Sequence, residues 1–275
     1  SPLTIRNYLS ELRFLFVYYA DVNPQDFTED MVMQYLLYLS KTLGCSRVKC
    51  KMAAQSISFF FRHVLKQVYV IPTVIYPRKS TKLPAVMPAS EIKTLIDGVK
   101  NIKHRSIIMM LYSTGMRLGE IAKVKITDID SKNMRIKVVQ GKGAKDRYTI
   151  LSEQVLVELR AYYIIYKPKV YLFNGSRPGK PISMRNILHL VQKALAQVGL
   201  DSKNYTVHTI CHSFATHLVD NGTDLHTVKE LLGHSNLQTT LRYLHLTATR
   251  IQGIVNPYDI LPTGKDDQKA ASLKK

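Results

Sequence analysis

Apolar residues recur at helical spacing along most of the chain. Leu9, Leu12, Phe16 and Tyr19 mark one face of a first helix that Thr4 can cap. Thr28, followed by Glu29 and Asp30, opens a second helix with Met31, Tyr35 and Leu39 on one face and its acids at the positive end. Ser46 to about Gln67 is long enough for a third, with the run Phe59-Phe60-Phe61 expected in the core. Between Ile71 and Pro88 the pattern breaks at Pro72, Pro77, Pro84 and Pro88, as in an interdomain linker. Beyond it helices are predicted over 90–99, 104–113, from Leu118, and over 152–166 and 183–198. Arg135–Gln140 and Arg147–Leu151 read instead as two short strands joined by the turn Gly141-Lys142-Gly143-Ala144-Lys145-Asp146. The last third is again helical, with Asn221-Gly222 and Gly233 as stops, and 263–275 is a polar, Lys-rich tail expected to be disordered. The fold class is therefore mainly α with a small β-hairpin, in an α+β arrangement. Residues 1–70 form a helical domain, 71–88 a linker and 89–262 a mixed domain.

Composition narrows the partners. The 275 residues include 39 Lys and Arg against 20 Asp and Glu, a net charge of +19, which points to a polyanion and most directly to nucleic acid. Hydrophobic residues at 45% and charged ones at 21% describe a folded protein, not a disordered one. No apolar run reaches the ~18 residues of a membrane span, and no signal peptide is evident. The chain starts at Ser1 with no Met and is expected to have been processed or trimmed there. Three cysteines, Cys45, Cys50 and Cys211, exclude a disulfide framework and fit a reducing, cytoplasmic setting.

Five local features carry candidate chemistry, and each has a bland reading. Arg117, in Thr114-Gly115-Met116-Arg117-Leu118-Gly119-Glu120, follows a Gly turn at a helix start, where a guanidinium can fork onto phosphate oxygens. Glu120 either orients that Arg or simply occupies a dipole-favoured position. Lys142 sits at a hairpin tip, able to protonate a leaving oxygen or merely to be a solvated turn lysine. His208 and His212 share a helical face with Cys211 between them, yet no acid or paired cysteine completes a metal site, so no metal is expected. His234 follows the Gly233 stop, and Tyr243, one of 16 tyrosines, lies nine residues further on. Basic side chains at Arg47, Lys49, Lys51, Arg62, Arg78, Lys79 and Lys145 are candidates for contacts to a phosphate backbone.

Together, Arg117, Lys142, His208, His234 and Tyr243 resemble the catalytic constellation of the tyrosine recombinases of phage-integrase type. The segment C-H-S-F-A-T-H-L from Cys211 to Leu218 is similar to the family's H-x-x-R-H-S-F-A-T-H-L box, and Leu231–His234 to its L-L-G-H box. The resemblance covers about Pro88 to Pro262, the helical first part looks like the family's core-binding domain, and with no obvious arm-binding domain the chain looks nearer the compact Xer and integron integrases. It implies site-specific DNA recombination. Tyr243 would form a 3′-phosphotyrosine, Arg117 would hold the phosphate and Lys142 would protonate the 5′-oxygen. His208 would assist proton transfer at the tyrosine, His234 would hydrogen-bond the phosphate, and Glu120 and His212 would support this set. No cofactor is implied. Implied partners are duplex DNA with inverted half-sites and further copies of the chain, a dimer per site and a tetramer in synapsis, on the nucleoid.

One position departs from the pattern. The second Arg of the family box is here Cys211, which is uncharged at neutral pH and cannot make a bidentate contact. Losing one preorganised donor costs roughly 10²–10³ in rate. The expectation is a chain that binds its DNA but cleaves it poorly, or a non-catalytic DNA-binding protein that keeps the fold. A metal-dependent nuclease is the weakest alternative.

Overall fold

The computed structural model describes residues 2–67, 85–139, 146–177, 179–234, 236–241 and 243. The chain divides into two compact units, 1–82 and 83–275. Of the expected linker only 85–88 are described, an irregular stretch entering the second unit, and the expected tail lies outside the described residues.

The first unit is built from α1 (Pro2–Tyr18), α2 (Glu29–Leu37) and α3 (Arg47–Phe60). α1 begins at Pro2, so Thr4 lies inside the helix rather than capping it; a proline's fixed φ suits a first helical turn. Thr28 and Ser46 cap α2 and α3 through their hydroxyls, accepting from the Met31 and Lys49 amides. α3 runs on through one wider turn, Phe61–Leu65, and stops at Lys66 in the left-handed region. Leu12 and Leu15 of α1 pack with Val32, Tyr35 and Leu36 of α2 and with Ala53, Ala54 and Ile57 of α3. The two alanines are fully buried, and their short side chains suit close approach of α1 to α3. Leu9, expected on the packed face, is exposed, and the phenylalanine run splits. Phe61 is buried and Phe60 packs against the core, whereas Phe59 is exposed beside the ring of Tyr8.

The second unit centres on α5 (Ile102–Thr114), whose Ile107, Ile108, Met110 and Leu111 are buried on several sides. Around it lie α4 (Ala89–Asp97), α6 (Leu118–Lys123), α7 (Glu153–Tyr166) and α8 (Met184–Gln197). The chain then continues through α9 (Val207–Asp220), α10 (Leu225–Leu232) and α11 (Leu237–Leu241). The strands are β1 (Ile129–Asp130), β2 (Arg135–Val138) and β3 (Arg147–Ile150), an antiparallel sheet in the order β1-β2-β3. β2 and β3 are the expected hairpin, with Arg135 opposite Ile150 and Val138 opposite Arg147. β1 has only two residues, too short for an alternation to reveal it. The joining turn, 140–145, lies outside the described residues.

On β2 the inward positions are apolar, Ile136 and Val138, but on β3 they are Arg147 and Thr149. Thr149 donates from its hydroxyl to the Thr114 carbonyl at 2.6 Å and so ties the sheet to the end of α5. Tyr148 and Ile150 face outward, and the Arg135 guanidinium covers the Tyr148 ring at 4.3 Å. Met87 is fully buried, and its amide donates to Ser213 Oγ on α9 at 2.8 Å.

Candidate active site

The turn after α5 sets the first cation. Gly115 takes φ +60°, and a Cβ there would come within 2.7 Å of both Phe214 and Leu232. Only glycine lets the backbone reverse so close to α9 and α10. Two residues on, Arg117 is the N-cap of α6, and its amide donates to Glu120 Oε2 at 2.8 Å. Its guanidinium donates to Glu120 Oε1 and to the Gly233 carbonyl, both at 2.9 Å. Glu120 therefore orients Arg117, and its place in the first turn of α6 is what allows it.

Glu120 has a second guanidinium partner that the sequence did not single out. Arg147 donates to its two oxygens at 2.9 and 2.8 Å, and from Nε to the Leu231 carbonyl at 3.0 Å. Burial pushes the Glu120 carboxyl up. The hydrogen bonds from Arg147 and from the Arg117 amide and guanidinium, with the Arg147 charge, outweigh that and hold it below the usual carboxylate range. Gly233, at φ +61°, ends α10, and a Cβ on it would meet Arg147 at 2.8 Å. The Leu231–His234 turn is thus held through its carbonyls by both arginines. The signal for Arg147 was present in β3, where a charged residue occupies an inward position of the alternation.

α9 supplies the next group, capped by Thr206 and Thr209 through reciprocal bonds at 3.3 and 3.0 Å. His208, in its first turn, is exposed. Cys211 is half-buried, its thiol donating to the Met116 carbonyl at 3.6 Å, so it lies against the turn that carries Arg117. Burial, with the nearby Glu120 charge adding, pushes the thiol up to about 12, so it is neutral at physiological pH. His212 Nδ1 is 2.8 Å from the Tyr243 hydroxyl oxygen. Tyr243 is only 3% exposed, packed with Phe214, Ala215, Val228 and Leu232. The His234 ring lies parallel to the Tyr243 ring, with centroids 6.5 Å apart and planes 10° from each other, and its Nδ1 is 3.0 Å from Thr240 Oγ1. At the far end of α9, His217 Nδ1 is 2.9 Å from the Tyr112 hydroxyl. His212 and Thr240 each touch a candidate residue, contacts that no sequence spacing specified.

Beside Arg117 opens a cavity of about 670 Å³, lined also by Lys123, Lys125 and Lys137. Glu120 and Asp128 line it too, so its four cations outnumber its two carboxylates. Lys142, Lys145, Arg78 and Lys79 lie outside the described residues. Lys51 and Arg62 are exposed on the first unit, where Arg47 is half-buried. Lys49 binds Glu11 there, at 2.8 and 2.7 Å to its two oxygens.

Residues 85–250 match the Phage integrase family, and residues 1–70 match the phage integrase N-terminal SAM-like domain. The chain is 34% identical over 268 residues to the Sinorhizobium fredii protein y4qK, covering 94% of this chain and 87% of that one. It is 30% identical over 249 residues to the tyrosine recombinase XerD of Staphylococcus saprophyticus, covering 85% of this chain and 83% of that one. Among solved structures, the XerH site-specific recombinase in its post-cleavage complex with palindromic difH substrate shares the fold. The TM-score is 0.75 at 23% identity, over 91% of this chain and 78% of that one. No helix among the described residues is long and apolar enough to cross a membrane.

Proposed function

Because the chain belongs to the phage integrase family of tyrosine recombinases, we propose that it breaks and rejoins duplex DNA through Tyr243 at specific sites, in reach of Arg117. The observation that carries this reading is the meeting of Tyr243, His212 and His234 around the Leu231–His234 turn, to which Arg117 is bonded. The Tyr243 oxygen attacks a backbone phosphorus and the bond to the 5′-oxygen breaks. A 3′-phosphotyrosine forms, and the departing 5′-oxygen takes a proton from Lys142. Arg117 holds the non-bridging oxygens as charge builds on them, His208 assists proton transfer at the tyrosine and His234 hydrogen-bonds the phosphate. The covalent bond keeps the energy of the phosphodiester, so a 5′-hydroxyl of a partner strand reverses the step with no cofactor. DNA half-sites in inverted repeat would each take one protomer, with two dimers paired for exchange, as cytoplasmic chemistry on the nucleoid. Lys51 and Arg62, together with Arg47, Arg78, Lys79 and Lys145, are the proposed backbone contacts.

The neutral Cys211 favours a second reading, a DNA-binding protein with little or no turnover. The two readings separate on duplexes recovered by the protein itself from a random-sequence pool. A nicked version of a recovered duplex should trap a covalent adduct that Tyr243→Phe abolishes while mobility-shift affinity stays nearly unchanged. Cys211→Arg should raise adduct yield by roughly 10²-fold. No adduct from either the parent or Cys211→Arg, with binding intact, leaves the non-catalytic reading.

A further inference from the structure

We infer that His212 is a further catalytic residue, the base that takes the phenolic proton of Tyr243 as its oxygen attacks phosphorus. The inference rests on the recombinase reading of Tyr243 and goes beyond it by naming where that proton goes. A phenol titrates near ~10 and is almost wholly protonated at neutral pH, so it needs a neighbouring base or a strong local field to act as a nucleophile. His212 Nδ1 lies 2.8 Å from the phenol oxygen, inside the reach of direct proton transfer. Tyr243 is 3% exposed, so DNA must uncover its hydroxyl before the attack, and the His212 contact must persist through that movement. His208 stands one helical turn earlier and is exposed, and no hydrogen bond joins its side chain to the Tyr243 hydroxyl. His212 is the imidazole already seated on the nucleophile.

The position of His212 is set by the helix and not by a loop. α9 is packed on both sides of it, with Ser213, Phe214 and Ala215 buried immediately after. Thr216 donates to the His212 carbonyl at 3.0 Å. In the forward step the O–H bond of Tyr243 breaks and its proton goes to Nδ1, making the imidazole cationic, while the phosphorus–tyrosine bond forms and the phosphorus–5′-oxygen bond breaks. When a 5′-hydroxyl later attacks the phosphotyrosine, the imidazolium returns the proton to the departing phenol oxygen. The donor for the 5′-oxygen is a separate group, so the two protons can be tested apart.

The test times adduct formation on a nicked duplex that the protein has recovered from a random-sequence pool. Parent, His212→Ala, His212→Gln and Lys142→Ala are compared. His212→Ala should be slower by about 10²-fold or more with binding unchanged. Difluorotyrosine at position 243, a more acidic phenol, should recover most of that loss. A 5′-bridging phosphorothiolate, whose leaving thiolate needs no proton, should rescue Lys142→Ala but not His212→Ala. A rate for His212→Ala within threefold of the parent overturns the inference, as does rescue by the phosphorothiolate and not by fluorination. Absence of any Tyr243-dependent adduct from both the parent and Cys211→Arg, with binding intact, defeats the recombinase reading itself. A DNA-free measurement then decides the contact: in ¹⁵N-histidine spectra Tyr243→Phe should shift the His212 Nδ1 resonance, and an unmoved resonance overturns the proposal. His212→Gln keeps a polar group at the position and guards against a fold defect in His212→Ala.

Discussion

Arg147 grips Glu120 with both terminal nitrogens of its guanidinium, at 2.9 and 2.8 Å, and both side chains are about nine-tenths buried. Through that pair the first residue of β3 is joined to α6, and its Nε joins it to the end of α10. Arg147→Ala leaves Glu120 with Arg117 alone in a dry setting. It should destabilise the second unit by about 3 kcal/mol in urea unfolding, the lower end of the cost of breaking a buried pair because one cation remains. Arg147→Lys keeps the charge without the fork and should recover only part of this.

Gly115 and Gly222 offer a matched comparison. Both have positive φ, +60° and +85°, but a Cβ at 115 collides with Phe214 and Leu232, whereas one at 222 meets nothing within 4 Å. Gly222→Ala should cost about 1–2 kcal/mol, the backbone strain alone. Gly115→Ala should cost at least a further ~1–3 kcal/mol for overpacking. Denaturation midpoints with unchanged slopes measure both, and equal losses would contradict the close approach of the turn to α9 and α10.

Lys49 was a candidate for phosphate contact, yet its ammonium sits on Glu11, joining α3 to α1. Lys49→Met should lower the stability of the first unit by about 1 kcal/mol, as expected for a partly exposed pair. The salt dependence of DNA binding should stay unchanged. Lys51→Met should behave in the opposite way, reducing the slope of log affinity against log salt by about 1.

His217 gives the second unit a pH response. Burial lowers its titration below the 6.5 of an ordinary histidine, although Asp220 and the Met87 backbone partly oppose this. A histidine whose folded value is depressed stabilises the fold above the unfolded value. That contribution is lost as pH falls through the folded value, because the unfolded chain binds the proton more readily. The melting temperature should therefore decline as pH drops below about 6.5, and His217→Gln should flatten this part of the curve.

Most of the helices were legible because long apolar periodicities and hydroxyl caps act locally. Ser46, Thr28 and Ser183 cap as their positions suggest, accepting from the amides three residues on. The start of α1 was misplaced because Thr4 and Pro2 both suit a helix start, and the sequence does not rank them. The candidate site was legible as a set of residue types in order, through resemblance to a family box. Its wiring was not. The Arg147–Glu120 pair and the His212–Tyr243 contact join residues 27 and 31 positions apart, and only the fold of β3 and α9 brings them together. Leu9 and Phe59 show the same limit from the other side, since apolar type alone did not say which face meets a neighbour.

Met87 is where the second unit begins to be held. Its amide is tied to Ser213, and its carbonyl faces His217 on the same helix that carries Cys211 and His212. A shift of the Met87 backbone therefore pulls directly on the helix that carries Cys211 and His212, without touching a single reacting atom.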